Sequence, residues 1–269
     1  MNGIFFPVQK KQRKNLLSIP IKKSQTLITR RLSIEFRNSI TDTPEDAEMD
    51  DDQNQPLYCI TFDNVLEAAG RIKDIAYRTP VLTSRSLIDN GKNYFFKVEA
   101  LQKTGSFKFR GALNAVKAEL EKRDGTSLSV VTHSSGNHAQ ALALAAKLAS
   151  TAKTKVSATI VMPKNTPNVK KAAVADFGGN IVMVENTNEA REEEAERIVQ
   201  ATGAVFIHPS EDPRVIAGQG TACLEFVEQI RELGHDLDAV IIPVGGGGLA
   251  AGNTISLRAL LGEKVKVRF

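Results

Sequence analysis

The sequence predicts an α/β protein built on parallel sheets with helices covering both faces, and three observations carry that expectation. From residue 61 onward helical and strand patterns alternate, and the helices are long enough to serve as crossover connections. The turns that follow strands, where parallel sheets place their ligand sites, hold the chain's least ordinary residue clusters. No internal repeat is evident.

Each element follows from its pattern. Val65, Ala69, Ile72 and Ile75 recur at helical spacing, and YFFKVEA at 94–100 reads as a strand. RGALNAVKAELEK (110–122) is a helix, SLSVVTH (127–133) a strand, NHAQALALAAKLA (137–149) a helix and KVSATIVM (155–162) a strand. NTPNVKKAAVADF (165–177) is helical and ends at Gly178 and Gly179, where a left-handed C-terminal residue is wanted. NIVMVE (180–185), AVFIHP (204–209), DAVIIPV (238–244) and KVKVRF (264–269) are strands. The helices NEAREEEAERIVQATG (188–203), PRVIAGQGTACLEFVEQIRELG (213–234) and LAAGNTISLRALLG (249–262) alternate with them. Lys108 and the glycine run at 245–248 must meet for a shared chemistry, although more than a hundred residues separate them. The expected division is therefore a larger domain from 57–128 and 212–269, with a smaller domain at 129–211 between its halves.

At 269 residues and 42% hydrophobic content the chain can bury a sizeable core, and its class is soluble globular. Cys59 and Cys223 lie far apart with no CxxC pair, which suggests neither a disulfide framework nor a thiolate zinc site and fits a reducing compartment. No stretch approaches the roughly 20 consecutive apolar residues of a membrane span. The net charge of +4 belongs to the leader: Lys10, Lys11, Arg13, Lys14, Lys22, Lys23, Arg30 and Arg31 all precede Glu35, the first acidic residue. An acidic run at Glu45, Asp46, Glu48, Asp50, Asp51 and Asp52 follows without periodicity, so residues 1–56 read as a disordered extension. The leader is either a basic tail, with the protein in the cytoplasm, or a transit peptide for mitochondria. RRLS at Arg30–Ser33 resembles a basic-directed kinase site.

Three turns carry the chemistry. Gly245, Gly246, Gly247 and Gly248 follow a strand and open a helix, exposing backbone N–H groups at a positive dipole end, which is a phosphate cradle. Taking Gly245, Gly247 and Ala250 as a dinucleotide GxGxxA matches weakly and too late in the chain, and no GK[ST] follows to make a P-loop. SSGNH, comprising Ser134, Ser135, Gly136, Asn137 and His138, could cap a helix with one Ser or Asn. Its surplus of hydroxyl, amide and backbone donors suits a substrate carboxylate. His133 and His138 lack partners spaced to complete a metal set, so no metal site is expected in this chain. In KTGSFKFRG (103–111), Lys108 stands between Phe107 and Phe109, a setting that a solvated lysine does not need. A phosphate cradle, a carboxylate turn and such a lysine belong together in pyridoxal-phosphate chemistry. The ε-amine binds the cofactor covalently, and its ring draws electrons from an amino acid's Cα.

KTGSFKFRGALNAV, THSSGNHAQA, DPRVIAGQGT and PVGGGGLAAG occur in this order. With them the chain, from Tyr58 to its end, resembles the fold-type II pyridoxal-phosphate enzymes (tryptophan synthase β-like), in the group of serine racemases and threonine dehydratases. The resemblance implies that Lys108 holds the cofactor, Phe107 lies beside it, Asn137 bonds the pyridine 3′ oxygen, and Gly245 to Gly248 with Leu249 hold the phosphate. It implies that the 134–138 turn binds substrate and that Ser135 faces Lys108 across Cα. A serine there is the racemase pattern, whereas related threonine dehydratases commonly carry alanine; hydroxyaspartate dehydratases also keep serine. The implied activity is interconversion of L- and D-serine with β-elimination to pyruvate and ammonia, the alternative being an L-threonine/L-serine dehydratase.

ATP and Mg2+ or Ca2+ are implied as allosteric regulators, with Lys103, Thr104 and Gln140 at positions that touch the nucleotide, and a homodimer is implied as the assembly. No nucleic acid or membrane partner is expected. Two departures count against the pattern. Ser210 stands where racemases usually carry asparagine, and the chain stops at KVKVRF where family members continue. The large domain is therefore expected to be incomplete, and a catalytically inactive truncated product is the alternative of another class.

Overall fold

The computed structural model describes residues 59–84, 87, 92–123 and 126–269. The expectations for residues 1–56 lie outside the described residues.

Helix α1 (Phe62–Ile72) starts at a capping box, with Thr61 Oγ1 accepting from Asn64 N–H while Asn64 Oδ1 accepts from Thr61 N–H at 2.9 Å. Strands β1 (Val81–Thr83) and β2 (Phe95–Lys97) then pair antiparallel, with Leu82 opposite Phe96. The sequence reading had β2 but not β1, because three residues after a proline are too few to show a period. Helix α2 (Lys108–Lys122) begins two residues earlier than its apolar pattern predicts, which makes Lys108 its first residue.

Next come β3 (Leu128–His133), α3 (Asn137–Ala149), β4 (Val156–Pro163), α4 (Asn168–Asp176), β5 (Asn180–Val184), α5 (Asn188–Thr202) and β6 (Val205–Phe206). The four strands form one parallel sheet in the order β5-β4-β3-β6. Alternate residues serve opposite faces, as the pleat requires. Val130 and Ile160 pack with Leu113 of α2 and Leu142 of α3. Val131 and Val161 pack with Ala195 and Ile198 of α5. Helices thus cover both faces, as the alternation predicts.

Helix α6 (Pro213–Glu232) opens with Pro213 at its first position and Asp212 as cap, the Asp212 carboxylate accepting from Arg214 N–H at 2.9 Å. Strand β7 (Ala239–Ile241), α7 (Gly248–Leu261) and β8 (Lys266–Arg268) follow, and β7 and β8 pair in parallel. The described residues belong to one compact unit, 56–269. Its largest core cluster joins Phe109 and Leu113, from the first segment of the expected larger domain, to Leu142 and Ile160 of the expected smaller one.

Glycines set how closely α2, α6 and α7 approach. A Cβ on Gly218 would lie 2.6 Å from Gly111 Cα, and one on Gly220 would lie 2.7 Å from the Gly252 carbonyl oxygen. Both obstacles are backbone and cannot swing aside. Gly218→Ala is expected to force α2 and α6 apart and cost about 1–3 kcal/mol, read as a lower denaturation midpoint with an unchanged slope. An unchanged midpoint would contradict this packing.

Candidate active site

The glycine contacts hold the N-terminal halves of α2, α6 and α7 close together. Lys108 Nζ, at the start of α2, donates to the Pro209 carbonyl oxygen at 2.7 Å. The next residue, Ser210, fills the space over the glycine loop: a Cβ on Gly246 would lie 2.5 Å from Ser210 Oγ, and one on Gly248 would lie 2.6 Å from the Ser210 carbonyl oxygen. The predicted lysine and the predicted phosphate cradle therefore meet across Pro209–Ser210, just ahead of α6. Gly247 caps α7 at φ 84°, a left-handed conformation that glycine adopts without strain.

Lys108 is half-buried, and burial pushes its ammonium below the ordinary lysine range. Among the described residues no carboxylate pairs with it to offset this. Its Nζ lies 5.3 Å from the Phe107 ring centroid. A desolvated lysine has a larger neutral fraction, which both a nucleophile and a general base require.

The serine turn leads into α3, whose His138 lies near enough to feel the Lys108 charge. Helix α3 begins at Asn137 with Gly136 as its cap and no side-chain cap bond, so capping does not explain the two serines. Ser134 Oγ accepts from Gly136 N–H at 3.3 Å. Ser135 is half-buried, and among the described residues its hydroxyl has no hydrogen-bond partner; Asn137 is exposed. The His138 ring behaves otherwise. It is 2% exposed, both nitrogens lack partners, and burial followed by the nearby Lys108 charge lowers its pKa to about 3. The ring is neutral and walled in, so of the residues expected to hold substrate His138 can offer only its backbone N–H.

The residues expected to touch nucleotide lie ahead of α2 and on α3. Lys103 Nζ sits 4.1 Å from the Tyr77 ring centroid, the Thr104 hydroxyl is buried without a partner, and Gln140 is half-buried. Among the described residues no group of three or more His, Cys, Asp or Glu could hold a metal ion, and no helix is long and apolar enough to cross a membrane.

The residue reading missed a buried ion network two residues past Lys108. Arg110, 1% exposed, forks onto Glu99 with Nε–Oε2 and Nη2–Oε1 both at 2.8 Å, and its Nη1 reaches Glu225 Oε2 at 3.0 Å. Lys97 pairs with the same Glu225 and donates to Gln229 Oε1 at 2.7 Å. Burial alone would raise Glu99, but the Arg110 guanidinium overrides it and holds the carboxyl below its ordinary range. The network ties β2 and the first turn of α2 to α6. No spacing rule could reveal it, since Arg110 and Glu225 are 115 positions apart.

These residues fit pyridoxal phosphate. A desolvated primary amine bonds the Pro209 carbonyl, the adjoining Ser210 packs on a glycine loop that opens α7 with the backbone N–H groups a phosphate needs, and the serine turn offers a hydroxyl without a partner among the described residues. Comparison with known proteins agrees. The family model described as pyridoxal-phosphate dependent enzyme matches residues 72–269. The serine racemase of Rattus norvegicus is 47% identical over 206 residues, covering 76% of this chain and 59% of that protein. The L-threo-3-hydroxyaspartate ammonia-lyase of Saccharomyces cerevisiae is 46% identical over 202 residues, covering 74% of this chain and 58% of that one. The crystal structure of serine racemase from Dictyostelium discoideum superposes with TM-score 0.70 at 42% identity, over 78% of this chain and 65% of its own. The chain spans 57–60% of the length of the serine racemases it matches here. With the family model matched along three quarters of the sequence and the lysine and glycine loop joined in one place, the chain belongs to the pyridoxal-phosphate-dependent enzyme family.

Proposed function

We propose that this chain carries the cofactor site of a serine racemase that also eliminates water from serine to yield pyruvate and ammonia. The observation that carries the reading is the meeting of Lys108 with Gly246 and Gly248 at Pro209–Ser210. Similarity to serine racemases supports the substrate. Lys108 would hold the cofactor through Nζ, beside Phe107; Gly245 to Gly248 and Leu249 would take the phosphate, and Asn137 the pyridine 3′ oxygen. Bound there, pyridoxal phosphate supplies an electron sink that makes the amino acid's Cα–H acidic.

The chain's own groups do the rest. Ser134 to His138 present hydroxyls and backbone N–H groups at the start of α3 to the substrate carboxylate. Lys108, its neutral form favoured by burial, takes or returns the Cα proton on one face. Ser135, with an uncommitted hydroxyl, does so on the other. Loss of the β-hydroxyl instead of reprotonation gives the lyase outcome, which the 46% identical ammonia-lyase favours as a second reading. The same proposal includes two domains, 57–128 with 212–269 and 129–211, a homodimer, and a cytoplasmic setting. It also includes ATP at Lys103, Thr104 and Gln140, with Mg2+ or Ca2+ as a second regulator. The buried, unpartnered Thr104 hydroxyl is what the chain itself offers toward the nucleotide.

Ser135→Ala tests the assignment in the cofactor-loaded chain given L-serine. Because Ser135 caps no helix, the change should leave stability nearly unaltered. D-serine formation should fall by about 10²-fold or more, the loss of one proton-transfer group, while pyruvate formation survives in part. Chiral chromatography beside a pyruvate assay reads both. Parallel loss of the two activities, or no D-serine from the unaltered chain, would overturn the racemase reading.

A further inference from the structure

The segment between β6 and α6 holds both halves of the site, yet few bonds give it its shape. Ile207 N–H donates to the Val131 carbonyl oxygen at 2.9 Å, tying the start of the segment to β3, and Asp212 caps α6 at its end. Between them, Ser210 N–H and Glu211 N–H donate to one acceptor, Nδ1 of His208, at 3.3 and 2.9 Å. Among the described residues neither N–H has a backbone acceptor. This is the bonding of an Asx turn, in which Oδ1 of an Asn or Asp accepts from N–H groups two and three residues on. Here a histidine ring nitrogen takes the place of that oxygen.

The ring is held in turn. Its centroid lies 5.7 Å from that of His133, edge-on at 80°, and 6.1 Å from that of Phe206. With Nδ1 accepting twice, the ring proton belongs on Nε2, which lies 3.9 Å from Glu211 Oε2. His133 closes β3 directly ahead of the serine turn, so the ring contacts link that turn to the Pro209–Ser210 segment.

We propose that His208 is a positioning residue: through Nδ1 it shapes the turn that aims the Pro209 carbonyl at Lys108 and seats Ser210 against Gly246 and Gly248. The inference rests on the reading of Lys108 and the glycine loop as the cofactor site, though the shape of the turn does not depend on it.

Three variants separate the acceptor from the ring. His208→Phe keeps a ring against His133 and Phe206 but cannot accept; His208→Asn keeps an acceptor at the place of Nδ1 but loses the ring; His208→Ala loses both. Two measurements apply to the whole chain. One is the apparent affinity for pyridoxal 5′-phosphate. The other is the rate at which Lys108 is acetylated in the cofactor-free protein by limiting acetic anhydride, read by peptide mass.

Leaving two N–H groups without their acceptor should loosen the turn. His208→Phe should therefore weaken cofactor binding about tenfold or more and speed Lys108 acetylation several-fold, with circular dichroism unchanged. His208→Asn should restore both toward the unaltered protein. If His208→Phe fails to fold, His208→Asn against His208→Ala makes the same comparison. A Phe variant that matches the unaltered chain in both measurements, with the Asn variant impaired, would show that only ring packing counts and would overturn the inference. If the unaltered chain binds no pyridoxal 5′-phosphate, the proposed function fails; the acetylation rates still decide the role of His208.

Discussion

Lys108→Ala is expected to abolish both covalent capture of pyridoxal phosphate and turnover of serine, with racemisation and elimination lost together by at least about 10³-fold. The size follows from two losses at one atom. Nζ is the nucleophile that would hold the cofactor and the base that would move the Cα proton, and its burial prepares it for both tasks. Among the described residues neither nearby lysine is placed to replace it. Lys103 lies in the preceding turn with its Nζ over the Tyr77 ring, and Lys97 is bound to Glu225 and Gln229. Folding should not suffer, because an alanine there removes a buried amine whose partner is a single carbonyl. Lys108→Arg should fail equally, since a guanidinium keeps the charge without the nucleophile. The assays are D-serine and pyruvate formation and the mass of borohydride-reduced protein, alongside a thermal melt. Turnover within tenfold of the unaltered chain would remove Lys108 from the chemistry.

The largest expected loss of stability comes from Arg110→Met. The side chain fills similar volume but leaves Glu99 in a largely buried setting with the Thr79 hydroxyl, which donates to it at 2.6 Å, and the charge of Lys97, itself bonded to Glu225, to offset its charge. Glu225 retains Lys97. Removing one partner of a buried pair costs about 3–5 kcal/mol, a large share of the roughly 5–15 kcal/mol that folds a domain. The melting temperature should fall by about 10 °C or more.

The pH dependence carries its own sign. In the unaltered chain Glu99 sits below its ordinary range, so the stability it contributes is complete above that range and is lost as pH falls through the depressed value. In the variant, burial without Arg110 raises Glu99 instead, and acid relieves the buried charge. The gap in stability between the two proteins should therefore narrow as pH is lowered through the carboxylate range. A gap that widens, or a variant as stable as the original, would contradict the network's role.

What the sequence revealed were features that side-chain type and spacing can encode. Lys108 between two phenylalanines, four glycines after a strand and a serine-rich turn stand out in a one-dimensional reading, and the structure joins the first two across Pro209–Ser210. The bridge itself was illegible, because a backbone carbonyl carries no residue signature. His208 was passed over for a similar reason. A lone histidine gives no sign that its Nδ1 will accept two backbone N–H groups. Local rules also gave incomplete answers at helix starts. Ser134, Ser135 and Asn137 all qualify as caps, yet Gly136 holds the position, and the predicted substrate contact His138 turns its ring into the core. Strand β1 escaped detection through shortness, and the Arg110 network through sequence distance.

The most direct test of the central claim, that Lys108 and the glycine loop form one cofactor site, is to map the label left by borohydride reduction after incubation with pyridoxal 5′-phosphate or with pyridoxal lacking the phosphate. The account predicts a visible absorption band and one labelled peptide, carrying Lys108, with pyridoxal 5′-phosphate. It predicts far weaker labelling of that peptide with pyridoxal, and loss of the preference for phosphate in Gly246→Ala, whose Cβ would meet Ser210 Oγ at 2.5 Å. Label spread over surface lysines, or equal labelling of Lys108 by both compounds, would contradict it.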